Sequence, residues 1–207
     1  MNSKIKICGL TLRQDVLAAA DLGADLLGFV FAKSSRQVSP ERMVEISAGL
    51  PESVLKVGVF VDAPLTEIKE IAAFCALDIL QLHGSEDLDY CRALDAYKLL
   101  KVFRLGQPGG VLPEASASAF WATLFDTWLP DQAGGGGRVF DWQQVLPWSG
   151  SRFFLAGGLT PENVGAAISM TRPFGVDISS GVESSPGIKD SAKIKKFIIA
   201  VKKADKS

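Results

Sequence analysis

Two short stretches rich in glycine and serine carry the strongest chemical signal in the sequence. Ala156-Gly157-Gly158-Leu159-Thr160 and Asp177-Ile178-Ser179-Ser180-Gly181-Val182-Glu183 each overlap or follow a β-rich run. Residues this small let backbone N–H groups approach the oxygens of a phosphate. Either stretch alone could be a plain tight turn. Single reactive side chains stand at the ends of other apolar runs. Cys8 and Asp126 are ionisable, yet a buried thiol is more often a small hydrophobe, and a carboxylate there could be a cap or an ion-pair partner. Arg36 follows Ser34-Ser35. It could be solvated, or it could grip a carboxylate with its planar, two-pronged donor set. His83 could be a site residue or a structural hydrogen-bonding group. As the only histidine, beside three cysteines without a CxxC pair, it argues against a structural zinc site.

Such residues need elements to hold them. Apolar runs recur at Ile5–Cys8, Leu26–Phe31, Lys56–Val61, Asp78–Leu82, Leu99–Phe103, Ala122–Asp126, Phe153–Ala156 and Gly175–Ile178. Most are continuous rather than alternating, as parallel strands covered on both faces require. Helical segments lie between them. Thr11 and Gln14 have capping-box spacing. Ser39-Pro40 offers an N-cap with proline at the first helical position, and Thr160-Pro161 repeats it. Pro64 opens a segment with Leu65, Ile68, Ile71 and Ala72 on one side. Ile194, Phe197, Ile198 and Val201 have amphipathic spacing, and the lysines from Lys189 to Lys206 read as the wet face of that terminal helix. Pro113 to Phe120 is a weaker helical candidate. Cys75 and Cys91 lie on helical segments and read as packing residues.

Repeated β-then-α order implies a parallel sheet with right-handed crossovers. Eight units in 207 residues favour an α/β fold in which a single (β/α)8 TIM barrel spans residues 1–207, over an open doubly wound sheet. No GxGxxG or GxxxxGK[ST] occurs to support the open sheet. In such barrels the site lies at the C-terminal strand ends. The residues there are Cys8, Ser34-Ser35-Arg36, Asp62, His83, Arg104, Asp126 and the two small-residue loops. After Asp126, the run Gly134 to Gly137 reads as a mobile loop suited to covering the barrel mouth.

The chain is 47% hydrophobic and 22% charged, with net charge −1, and its 22 lysines and arginines are scattered. That pattern carries no nucleic-acid footprint. Met1 to Leu10 lacks the apolar core of a signal peptide, and no apolar run approaches the roughly 20 residues of a membrane span. The expectation is a cytoplasmic protein without disulfides, partnered by neither nucleic acid nor membrane.

A set of segments runs along the chain in order: Lys6-Ile7-Cys8-Gly9-Leu10-Thr11, Gly28-Phe29-Val30-Phe31 with Ser34-Ser35-Arg36, Val57-Gly58-Val59-Phe60-Val61, and Leu80-Gln81-Leu82-His83-Gly84. Phe140-Asp141-Trp142, Leu155-Ala156-Gly157-Gly158-Leu159, Val176 to Glu183, and Ser184 to Asp190 complete it. Together these segments resemble the phosphoribosylanthranilate isomerase family of tryptophan biosynthesis. The resemblance implies an isomerase performing an Amadori rearrangement of N-(5-phosphoribosyl)anthranilate. It implies Asp126 as general acid and Cys8 as general base, with Arg36 on the anthranilate carboxylate. Gly157, Gly158, Ser179, Ser180 and Gly181 would hold the phosphate, and His83 and Asp177 would be further substrate contacts. It implies neither cofactor nor metal, and leaves monomer or homodimer open. The lid departs from the family pattern: Trp128 and Pro130 precede it, and Gly134 to Gly137 lead to Arg138 where threonine among the glycines and then lysine are expected.

These roles demand opposite protonation states. The carboxyl must keep a proton although a free Asp titrates at about 3.9, and the thiol must lose one although a free Cys titrates at about 8.5. The positive end of the helix after Thr11 is expected to favour the Cys8 thiolate. Two rivals remain: a related histidine-pathway aminoaldose isomerase, which would use paired aspartates, and a non-catalytic phosphate-ligand-binding barrel.

Overall fold

The apolar runs form the strands expected of them. The computed structural model describes residues 2–106, 120–127 and 140–206. Its strands are β1 (Lys4–Cys8), β2 (Leu26–Val30), β3 (Leu55–Phe60), β4 (Ile79–Leu82), β5 (Lys98–Leu105), β6 (Ala122–Thr127), β7 (Phe153–Leu155) and β8 (Gly175–Ile178). They pair in parallel, in chain order, and close into a barrel. Pairing of β1 with β8, from Lys4 opposite Gly175 to Ile7 opposite Ile178, shuts the ring. The (β/α)8 expectation therefore holds.

Successive side chains on a strand face opposite ways, and this parity sorts the residues into two cores. Leu26, Val57, Ile79, Leu100, Leu124 and Phe154 pack together inside the barrel. Ile5, Ile7, Leu27, Leu80, Phe125, Phe153, Val176 and Ile178 belong to the outer core, where strands meet helices. Cys8, Gln81, His83, Asp126 and Asp177 lie at even steps from the inward set or at odd steps from the outward one, so they face the lumen. Phe125 anchors its strand from outside, 4.9 Å from the Trp148 ring and 5.7 Å from Phe153. Its neighbour Asp126 is thereby fixed on the inner side.

The helices are α1 (Arg13–Leu22), α2 (Pro40–Ser47), α3 (Leu65–Phe74), α4 (Leu88–Arg92), α5 (Val164–Thr171) and α6 (Ser191–Ala204), with a 3₁₀ turn at Trp142–Trp148. Ser39 caps α2 as expected, its Oγ accepting from Arg42 N–H at 3.2 Å. On α6, Ile194, Phe197, Ile198 and Val201 are all buried. Cys75 and Cys91 are buried in the outer core.

Three local expectations are corrected. Thr11 is not a cap: α1 begins at Arg13 behind Leu12, with no side-chain cap. The Thr11 hydroxyl instead donates to the Gly187 carbonyl at 2.5 Å. Thr160-Pro161 does not start α5, which begins at Val164. Thr160 N–H donates to Asn163 Oδ1 and Thr160 Oγ1 accepts from Glu162 N–H, a side-chain turn that uses up the capping groups first. Lys189 does not belong to the wet face of α6. It precedes the helix, on the short hairpin β9–β10 (Glu183–Ser185 and Ile188–Lys189), and its side chain is fully buried.

The segment expected to be helical from Pro113, except Phe120, and the loop carrying Trp128, Pro130 and Gly134 to Arg138 lie outside the described residues. Among the described residues, no helix is long and apolar enough to cross a membrane.

Candidate active site

A cleft opens at the C-terminal ends of the strands, where the site of such a barrel is expected. Cys8 from β1, Arg36 after β2, His83 after β4, Asp126 from β6 and Asp177 from β8 all line it. So do Gly157 and Gly158 after β7, and Ser179, Ser180 and Gly181 after β8. These ten residues thus reach one cavity, with the thiol and the carboxyl on one rim, whereas Ser35 and Asp62, also at strand ends, do not line it.

The small-residue loops are pressed against their neighbours. Gly157 has a left-handed backbone, φ 79°, and a Cβ there would lie 2.5 Å from Thr127 N and run into Thr127 Oγ1. At Gly181 a Cβ would run into the Leu159 carbonyl oxygen. Gly157→Ala therefore meets both a strained φ and a backbone clash. It should cost about 1–3 kcal/mol, seen as a lower urea midpoint, together with a higher KM for a phosphorylated substrate.

Asp126 is anchored through one oxygen, Oδ1, which accepts from Thr127 N–H at 2.8 Å. Its Oδ2 lies 3.4 Å from His83 Nε2, a buried nitrogen that makes no hydrogen bond among the described residues. The Gln81 amide nitrogen stands 3.2 Å from His83 Nδ1. When that amide donates, the ring proton sits on Nε2, facing Asp126. Arg104 adds a bond to the His83 carbonyl at 3.0 Å.

Arg36 is pre-set by Glu183 in a two-pronged pair, Nε to Oε1 and Nη2 to Oε2, both 2.7 Å. Glu183 Oε1 also takes Lys189 Nζ at 2.8 Å and Gly187 N–H at 3.3 Å. Burial pushes the Glu183 carboxyl up, but the Arg36 and Lys189 contacts outweigh it and hold it below its ordinary value. Lys189 also donates to the Ser179 carbonyl at 3.2 Å. The guanidinium edge towards Glu183 is occupied, so an incoming carboxylate would meet the edge that includes Nη1.

α1 starts at Arg13, and the charged groups acting with the Cys8 sulfur are Lys6, Asp177, Lys189 and Arg36. Burial dominates, pushing the thiol above its ordinary value. Asp177 lines the cleft, but its Oδ1 accepts from Lys6 Nζ at 2.9 Å. Among the described residues, no cluster of three His, Cys, Asp or Glu side chains is placed to hold a metal ion.

Sequence reading missed Lys6, Gln81, Glu183 and Lys189 as organisers of the site. Lys6 and Gln81 were detectable, since each is a polar residue inside an apolar strand, two positions before a site residue and therefore on the same face. Nothing comparable marks Glu183 and Lys189, because a hairpin ion pair has no spacing signature.

Comparison with known proteins gives a consistent picture. The family model described as N-(5'-phosphoribosyl)anthranilate (PRA) isomerase matches residues 5–200. An N-(5'-phosphoribosyl)anthranilate isomerase of Moorella thermoacetica is 44% identical over 204 residues, covering 98% of this chain and 91% of that protein. The crystal structure of the Thermotoga maritima phosphoribosyl anthranilate isomerase superposes with a TM-score of 0.89 at 40% identity, covering 97% of this chain and 99% of that one. A further isomerase, crystallised with reduced 1-(o-carboxyphenylamino)-1-deoxyribulose 5-phosphate, gives 0.86 at 38% identity, with 97% and 99% coverage. With a parallel barrel, a strand-end thiol and carboxyl in one cleft, and a family match over almost its whole length, this chain belongs to the N-(5'-phosphoribosyl)anthranilate isomerase family.

Proposed function

We propose that the chain converts N-(5-phosphoribosyl)anthranilate into 1-(2-carboxyphenylamino)-1-deoxyribulose 5-phosphate, an internal aldose–ketose rearrangement, with Asp126 and Cys8 as its acid–base pair. The observation that carries this reading is that Cys8, Asp126 and both small-residue loops line a single cleft. The loops around Gly157, Gly158, Ser179, Ser180 and Gly181 take the phosphate through backbone N–H groups. Arg36, braced by Glu183, takes the anthranilate carboxylate. Asp126 gives its proton to the ribose ring oxygen as the C1–O bond breaks, leaving an iminium at C1. Its carboxylate is then steadied by Thr127 N–H and His83. Cys8 removes the proton from C2, and the C–H electron pair forms a C1=C2 bond while the nitrogen loses its charge. The enol so formed becomes the ketone when C1 gains a proton and the C2 hydroxyl gives up its own.

Following the loss of substrate fluorescence with purified protein tests the reaction directly. Fluorescence that stays constant while the ligand binds would leave a phosphate-binding barrel instead. A second expectation concerns pH. The base works deprotonated, and burial holds the Cys8 thiol above its ordinary value. So kcat/KM should climb as pH rises through neutrality into the alkaline range, since this parameter reports groups of the free enzyme. A kcat/KM that is flat or falling over that range would exclude a raised thiol as the base.

A further inference from the structure

Lys6 is fully buried inside the barrel, and nothing above gives it work to do. Lysines are almost never fully buried unless paired, because an ammonium pays heavily for leaving water. Its partner is Asp177, directly opposite in the β1–β8 register and 2.9 Å away. A buried pair of this kind is weak evidence for stability, since apolar side chains of similar volume often serve as well. Leu26, Ile79 and Phe154 fill the same lumen without charge.

The position of the ammonium is more informative. Lys6 and Cys8 share the inward face of β1. Gly28 lies opposite Cys8 in the β1–β2 register and leaves a space that both side chains enter. A Cβ on Gly28 would stand 2.7 Å from Cys8 Sγ and 3.1 Å from Lys6 Nζ. Sulfur and ammonium therefore converge on one point. The other charged groups acting with Cys8 are Asp177 from β8, Lys189 from β10 and Arg36 from the loop after β2. Burial drives the thiol up, and the attraction of Lys6 is the largest influence opposing it.

We propose that Lys6, held by Asp177, is a positioning residue for Cys8, its ammonium being the countercharge that lets the buried sulfur exist as the thiolate that removes the sugar C2 proton. The inference rests on Cys8 as the base. The proton passes from C2 to Sγ, Lys6 keeps its own proton throughout, and no other reactant is needed. Asp177 orients the ammonium and keeps it charged: burial pulls Lys6 down, while Asp177 and Cys8 together hold it above its ordinary value.

The test is Lys6→Met, which keeps the length of the side chain and removes the charge. Cys8 ionisation is read from ultraviolet thiolate absorbance, as the difference between proteins with Cys8 and with Cys8→Ser. Removing an opposite charge at this range should raise the midpoint by about one unit or more. kcat at neutral pH should fall roughly tenfold for each unit, with KM within about threefold, and should recover as pH is raised. Lys6→Arg, which keeps the charge, should stay near the wild-type midpoint. A folded Lys6→Met protein with the wild-type midpoint overturns the proposal. Should that variant not fold, Lys6→Gln, neutral but still able to donate to Asp177, takes its place, and a wild-type midpoint there overturns it equally. If Cys8→Ser alone keeps its turnover, the assignment of the base fails, whatever Lys6 does to the sulfur.

Discussion

Replacing Cys8 with serine is expected to lower kcat by roughly 10²-fold or more, with KM close to that of the unchanged protein. The hydroxyl fits where the thiol fitted, so packing against Gly28 and Lys6 is preserved. What is lost is acidity. Even with a lysine beside it, an alcohol gives up its proton far less readily than a thiol. The loops around Gly157 and Ser180 and the Arg36 side chain are untouched, so binding should survive. The measurement is the rate of fluorescence loss at saturating substrate, with circular dichroism to confirm the fold. Near-normal turnover would remove Cys8 from the role of base.

Asp126→Asn should have an effect of similar size, a fall in kcat of roughly 10²–10⁴-fold, for a different reason. The amide has almost the same shape, and its carbonyl oxygen can still accept from Thr127 N–H, the contact now made at 2.8 Å. It cannot hand a proton to a ring oxygen. Substrate should therefore bind and wait with its ring closed. The decisive comparison is kcat against KM in the same assay. A large rise in KM with kcat retained would make Asp126 a binding residue, and an unfolded protein would make it a structural one.

The strands were legible from sequence because buried parallel strands are written as continuous apolar runs, and each of the eight runs overlaps its strand. The rim positions followed from them, since each run ends within two residues of its strand's end, although β5 continues to Leu105 and so includes Arg104. Helix starts were less legible. Ser39 caps because its oxygen accepts locally from Arg42 N–H, whereas the Thr11 hydroxyl is taken by Gly187, 176 residues away in sequence. The burial that pushes the Cys8 thiol up was not legible either, because it belongs to the closed barrel. Lys189 shows the limit most plainly. Its place in a lysine-rich tail suggested solvent, but a two-residue strand turns it inward onto Glu183 and the Ser179 carbonyl.

His83 is the only imidazole in the chain, and it lies between Gln81 and the proposed acid. Every histidine ring resonance from this protein, in any mixture or with any ligand, therefore originates in this one cleft. The molecule carries its own spectroscopic label. Nitrogen shifts recorded without any assignment would show which ring atom bears the proton, and would reveal in real time when the neighbouring carboxyl gains or gives up its own.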